Sequence, residues 1–155
     1  MIFAKYKGID GQAQDKGHEK WIVIESIDWG ATTPGARTGG SYTAQDLSLT
    51  YAFDISSPKL AEKLLKGEKI DELEIHTTAT YGDGSENTYL TMKLTNVFIS
   101  SFQVSGSGDG GKPYVSVSNN AETIEVKYTE FKEDDGKKGG NAELSKWSLV
   151  KRSKA

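Results

Sequence analysis

The chain has 155 residues, no cysteine and a formal net charge of −3, with an isoelectric point near 5.5. These values exclude disulfides, thiolate metal sites and cysteine chemistry, and they argue against a phosphate backbone as the main partner, which calls for clustered lysine and arginine. The length suits one domain, residues 1–155, and 17 glycines against 3 prolines, among many β-branched and aromatic residues, point to tight turns rather than disorder.

The first residues, MIFAKYKGIDG, carry early charges and no long apolar run. They predict a protein made in the cytoplasm, with neither a cleaved leader nor a membrane anchor. Residues 2–7 alternate apolar and polar and predict a first strand, followed by a polar loop over 8–20. WIVIESIDW, residues 21–29, predicts the strongest strand, with Trp21, Val23, Ile27 and Trp29 on one face and Ile22 and Ile24 on the other. Apolar residues on both faces of its first half predict a central strand covered twice. Residues 30–43, GATTPGARTGGSYT, form a long Gly/Thr/Ser loop of a length that often carries function. Residues 46–53 alternate again.

The single helical signal lies in DISSPKLAEKLLKG, residues 54–67. Ser57 is the expected N-cap, with Pro58 at the first helical position. Leu60, Ala61, Leu64 and Leu65 make one apolar stripe, and Glu62 precedes Lys66 by one turn. Gly67 supplies a left-handed stop. The helix proper is expected over about residues 58–66. It is too short to stand alone. It is expected to bury three leucines against a sheet, each contributing roughly 1.5–3 kcal/mol.

Residues 73–81 predict a strand with Leu73, Ile75, Thr77, Ala79 and Tyr81 on one face, and Gly82-Asp83-Gly84-Ser85 a hairpin turn. Residues 88–104 are long for one strand, and a bulge near Thr95-Asn96 would turn Val97 and Ile99 inward. Strand pieces follow at 114–118 and 122–131, either two strands or one bent strand, then a charged turn over 132–141, a closing strand at 146–150 and a solvated, flexible tail at 151–155. Seven or eight half-buried strands with one helix predict a mainly β barrel or sandwich.

Catalytic patterns are poor. Residues 106–111 match G-x-G-x-x-G, but Lys112-Pro113 and a β-like run follow where a helix N-terminus is required. His18-Glu19 opens like H-E-x-x-H, yet Ile22 stands where the second histidine belongs. His76 reads as a surface residue of a strand. The acidic triplet Glu133-Asp134-Asp135 lies in a charged turn, and Lys151, Arg152 and Lys154 make a small basic end. No catalytic residue, metal site or cofactor is assigned, and no enzyme activity is expected.

The run Gly8-Ile-Asp-Gly11, then Asp15-Lys-Gly-His18-Glu-Lys-Trp21-Ile22-Val-Ile24-Glu-Ser26-Ile-Asp-Trp29-Gly30, resembles the haemolysin-coregulated protein (Hcp) family, the tube proteins of bacterial type VI secretion. The likeness continues through Asp46-Leu-Ser-Leu-Thr50, Ser57-Pro58-Lys59-Leu60, Val97-Phe-Ile-Ser100-Ser101 and Lys146-Trp147-Ser148-Leu149, covering nearly the whole chain in order. The resemblance implies a closed β-barrel of two packed antiparallel sheets with one short flanking helix. It implies six copies in a ring, rings stacked into a hollow tube, and export driven by a contractile sheath behind a spike tip. It further implies small effector proteins carried in the ring, no nucleic-acid partner and no membrane insertion.

Two site assignments accompany it. Pro34, Arg37, Gly39 and Gly40 mark the long loop as the segment that reaches the next ring. Asp28, on a strand that lines the bore in this family, is the candidate cargo contact. The alternative is a monomeric barrel that binds a small lipophilic ligand in its interior, lined by Trp21, Trp29, Tyr51 and Phe53.

Overall fold

The computed structural model describes residues 1–34 and 42–151, and the backbone of 153–154. β1 (Ile2–Tyr6) opens the chain, and β2 (Ile22–Ile24) and β3 (Ser26–Asp28) follow after a loop. The short β4 (Ala31–Thr32) and β5 (Thr43–Ala44) precede β6 (Leu47–Ala52) and the helix α1 (Ser57–Lys66). The second half is built from long strands: β7 (Ile70–Thr80), β8 (Glu86–Ser105), β9 (Tyr114–Phe131) and β10 (Lys138–Ser148), with a short β11 (Ser153–Lys154).

The pairings close into a circuit. β1 lies between β2 and β7, β7 pairs with β8, β8 with β9, β9 with β6, and β6 with β3, all antiparallel. β2 and β3 are one run interrupted only at Glu25, whose N–H donates to the Thr50 carbonyl at 2.8 Å and carries the ladder across the break. Closure is what removes free strand edges. The expected mainly β barrel with one helix is therefore the fold. Residues 114–131 are one continuous strand rather than two pieces, the second of the two expected readings, and it serves two neighbours. Its first half pairs with β6 and its second half with β10. β10 begins at Lys138, well before the expected closing strand, and residues 153–154 fold back to pair with it instead of running free.

The interior is packed with side chains. Leu47, Leu49 and Tyr51 of β6 meet Val115 and Val117 of β9, with Tyr6, Leu73, Ile75, Leu94 and Val97 around them. The Tyr6 hydroxyl donates to Asn119 Oδ1 at 2.6 Å, and Asn119 Nδ2 donates to the Leu47 carbonyl at 3.0 Å. Burial, reinforced by Tyr51, holds the Tyr6 hydroxyl far above the usual phenol range, so it stays a donor. The four aromatics of the ligand-pocket alternative do not share a cavity. Tyr51 is sealed in the core, Trp21 packs outside it, and Trp29 and Phe53 border different surface clefts.

Several local expectations change. In β2, Ile22 and Ile24 point into the core while Val23 is 38% exposed, so this strand is covered on one face only. In β7 the residue buried after Ile75 is Thr78 rather than Thr77, beside a register shift at which Tyr89 of β8 is left unpaired, and the Thr78 hydroxyl donates to Glu86 Oε1 at 2.6 Å. Asn96 takes a positive φ of 52° at the expected irregularity in β8, and Val97 and Ile99 are buried beyond it.

In α1, Ser57 is not the cap. It is buried, accepting from the Asp54 N–H at 3.0 Å and donating to the Tyr51 hydroxyl at 3.3 Å. The N-cap position is Ser56, whose own N–H is taken by Asp54 Oδ1 at 2.9 Å. Leu60 is fully buried, but Leu65 is 82% exposed, because a helix resting on a sheet by one narrow line covers fewer positions than its stripe offers. Lys66 meets Glu62 at 2.6 Å, and Gly67 stops the helix at φ 64°.

Candidate functional site

β6 reads Leu-Ser-Leu-Thr-Tyr-Ala and the facing half of β9 reads Tyr-Val-Ser-Val-Ser-Asn. Period-2 alternation sends Leu47, Leu49 and Tyr51, and Val115 and Val117, into the core. Ser48, Thr50, Ser116 and Ser118 are left on the outer face. The register then aligns them across four strands. One row is Asp28, Ser48, Ser118 and Ser101, and the next is Ser26, Thr50, Ser116 and Gln103. Ser48 and Ser118 share a hydrogen bond between hydroxyls at 3.1 Å.

The result is a shallow face of small hydroxyl side chains, half-exposed along its centre and exposed at its rims. It carries no large apolar group in either row, so it offers little to a hydrophobic interface. Its side chains are short and polar, and they stand open to water.

Asp28 closes the first row. It is exposed, and Gln45 Nε2 donates to its Oδ1 at 3.3 Å. Gln45 also anchors the long loop, its backbone N–H donating to the Gly30 carbonyl at 2.9 Å. The loop leaves the barrel as a hairpin, with Ala31 opposite Ala44 and Thr32 opposite Thr43. Trp147 Nε1–H donates to the Tyr42 hydroxyl at 2.9 Å at its root. Pro34 is exposed near the start of this hairpin, whereas Arg37, Gly39 and Gly40 lie outside the described residues. The structure thus brings Asp28 and the loop root together at one end of the hydroxyl face. Asp46 flanks the same end, accepting from Ser100 at 2.6 Å and from Asn120 at 3.1 Å.

Sequence reasoning singled out Asp28 and missed the serines and threonines beside it. Their signal was present: in both strands the outward positions carry hydroxyls instead of the charges usual on a solvated face.

A second cluster lies on the opposite side of β1. The loop before β2 folds back through paired backbone bonds between Gly11, Ala13, Lys20 and Trp21. It brings His18 onto Phe3 with ring centroids 4.4 Å apart and planes 9° off parallel. His18 Nε2 lies 3.0 Å from His76 Nδ1, and His76 Nε2 lies 2.8 Å from Glu74 Oε1. Trp21 packs on both imidazoles. His76 is therefore no isolated surface residue. Burial first, and the neighbouring His76 second, hold His18 below the ordinary imidazole range. Both of the chain's histidines are engaged in fastening the loop to the barrel. Among the described residues no group of three or more His, Asp or Glu side chains is placed to hold a metal ion.

Comparison with known proteins agrees over most of the chain. A family model described as "Type VI secretion system effector, Hcp" matches residues 3–134. The curated "Protein hcp1" of Pseudomonas aeruginosa is 27% identical over 154 residues, covering 96% of this chain and 94% of that protein. The "Major exported protein" of the same organism is 27% identical over 93 residues, spanning 57% of this chain and 54% of that one. Among solved structures, one reported as a type six secretion system protein superposes with a TM-score of 0.87 at 28% identity, over 99% of this chain and 98% of that one. Hcp1 from Salmonella typhimurium shares the fold with a TM-score of 0.77 at 21% identity, over 99% and 97% of the two chains.

Proposed function

The chain belongs to the Hcp family of type VI secretion systems, exported tube proteins, and from that premise we propose that six copies form a ring whose bore is lined by the hydroxyl face. The observation that carries this reading is the alignment of Ser26, Ser48, Thr50, Ser116 and Ser118 on one outward surface. A channel wall must stay wetted and must release what passes. Short hydroxyls bind water, pay little side-chain entropy and offer no apolar grip.

Asp28, at the end of the first row, gives that wall a negative charge and biases it toward effector proteins with basic contact surfaces. The long loop, rooted beside Asp28 and carrying Pro34, Arg37, Gly39 and Gly40, reaches across to the next ring and stacks rings into a tube. A closed ring needs one patch that docks onto a different patch of the next copy. The tube is assembled in the cytoplasm and leaves the cell with its cargo, driven by the sheath behind the spike, and it catalyses no reaction.

Solution mass and negative-stain images of the purified chain test this reading. Six-fold rings are expected; a single-chain species at every concentration overturns it. Deleting residues 37–41 should leave rings and shorten stacks, and Asp28→Ala should weaken retention of basic cargo. Stacks of normal length, or cargo retained equally, would remove those two assignments.

A further inference from the structure

Phe3 is fully buried, yet it lies outside the barrel interior. In β1 the neighbouring Ala4 and then Tyr6 join the core, so alternation points Phe3 and Lys5 outward. What shields Phe3 from water is the loop over residues 8–20, whose His18 ring is stacked on it. The loop is firmly fixed at its base. Ile9 belongs to the core, Ala13 is buried, and a Cβ on Gly11 would stand 2.5 Å from the Trp21 carbonyl oxygen. Its outer part, residues 14–20, is held far more sparingly. His18 is the one buried residue there. Lys20, at the return, takes a positive φ of 66°, a conformation that a residue with a side chain adopts only where its surroundings impose it. The cover over an outward phenylalanine is thus held down by a single imidazole.

The link that holds this imidazole fixes where its protons sit. An ionised Glu74 only accepts, so His76 Nε2, 2.8 Å from its Oε1, carries a proton. His76 Nδ1 is then bare and accepts from His18 Nε2–H at 3.0 Å. That arrangement suits two neutral rings. A proton added to His76 Nδ1 sets N–H against N–H and breaks the link. A proton added to His18 Nδ1 keeps the link but places a cation between Phe3 and Trp21, where burial opposes it. The charges facing the pair are mixed. Asp15 and Glu19 of the loop and Glu86 of β8 favour a cation on His18, and burial together with His76 outweighs them. On the barrel wall Glu74 is flanked in register by Lys5 of β1 and Lys93 of β8, and Thr91 stands opposite His76 with Lys127 of β9 beyond it. We infer that residues 14–20 are an acid-released lid: a proton added to the His18–His76 pair lifts them from β1 and uncovers Phe3 and Trp21 while the barrel stays closed. Val23, opposite Phe3 in β2 and already 38% exposed, extends the uncovered surface into one apolar strip. The hydroxyl face lies on other strand segments, so the inference holds for the single chain and does not depend on the ring.

The test is amide hydrogen exchange of the full chain at pH 7.5 and pH 5.5, corrected for the intrinsic pH dependence of exchange. The lid is closed by backbone bonds that report on it: Gly11 N–H to the Lys20 carbonyl at 2.7 Å, Lys20 N–H to the Ala13 carbonyl at 2.8 Å and Ala13 N–H to the Trp21 carbonyl at 2.9 Å. Once the lid is open, the imidazoles regain their ordinary affinity for protons, near pH 6.5. Protection at these amides should therefore fall at least about fivefold across the two pH values, while β6 and the first half of β9 keep theirs. Nile red, a neutral apolar dye, should gain emission over the same range. His18→Phe leaves a ring on Phe3 and cannot titrate, so protection and dye emission should become flat with pH. Loop protection equal at both pH values, or falling in step with the barrel, overturns the inference, as does a pH dependence that persists in His18→Phe. His76→Gln is the second variant. Its side-chain oxygen can accept from His18, so the lid should stay closed at pH 7.5 and the fall with pH should shrink. An undiminished fall in that variant also overturns the inference.

Discussion

The barrel and the paired hairpin tips are made of the same strands and are held by different forces. In the barrel, β6 and the first half of β9 bury every second residue, and the circuit covers their edges. At the tips, β8 and β9 have parted, and nearly every described residue of β10 is exposed until Trp147. What fixes the tips is turn chemistry. Asp83 accepts from the Ser85 N–H at 2.9 Å, Gly84 takes φ 82°, and Gly82 lies so close to the other hairpin that a Cβ there would stand 2.5 Å from the Asp134 carbonyl oxygen. Burial stabilises in proportion to area and is insensitive to detail, whereas a turn depends on single atoms.

The contrast can be broken at either end. The largest effect belongs to the barrel: Leu49→Ala, at a site with no exposure, should cost about 2–5 kcal/mol in denaturant unfolding. Gly82→Ala should be smaller and local, because the new methyl forces the two turns apart. Amide exchange should quicken over residues 80–86 and 132–137 and stay unchanged in β6 and the first half of β9. Loss of protection throughout would mean that the tips and the barrel unfold as one.

The histidine clasp lies between these extremes, with packed rings and a polar link. His18 binds its proton less readily folded than unfolded, so the folded chain holds fewer protons as pH falls through the imidazole range near 6.5. The stability it contributes is fully present above that value and is lost below it. The melting temperature should therefore fall between pH 7 and pH 5, with a change in Trp21 emission as the loop loosens. His18→Phe should flatten the dependence, and an unchanged slope in that variant would assign the effect elsewhere. The smallest effect is expected at Leu65→Ser. An 82% exposed leucine contributes little to the isolated chain, and the change should stay within about 0.5 kcal/mol.

The barrel was legible in the sequence because alternation is a local signal: LSLTY, LTMKL and YVSVS each state which face is buried. The helix stop at Gly67 and the turn at residues 82–85 are likewise local chemistry. What escaped is what depends on register. Thr78 rather than Thr77 is buried, beside one shifted pair that local alternation does not announce, and Val23 faced water because β2 has cover on one side only. The same limit applied to the candidate site. Asp28 could be chosen alone, but its row with Ser48, Ser118 and Ser101 draws on four strands from distant parts of the chain. The two histidines, 58 residues apart, met for the same reason.

The central claim is that the hydroxyl face looks into the bore of a ring. The chain has no native cysteine, so Ser116→Cys provides a single thiol on that face for a maleimide-gold cluster. Averaged electron micrographs of the labelled protein should show rings with gold density at the inner wall. Gold on the outer rim, or rings that no longer form because Ser116 sits between copies, would contradict it.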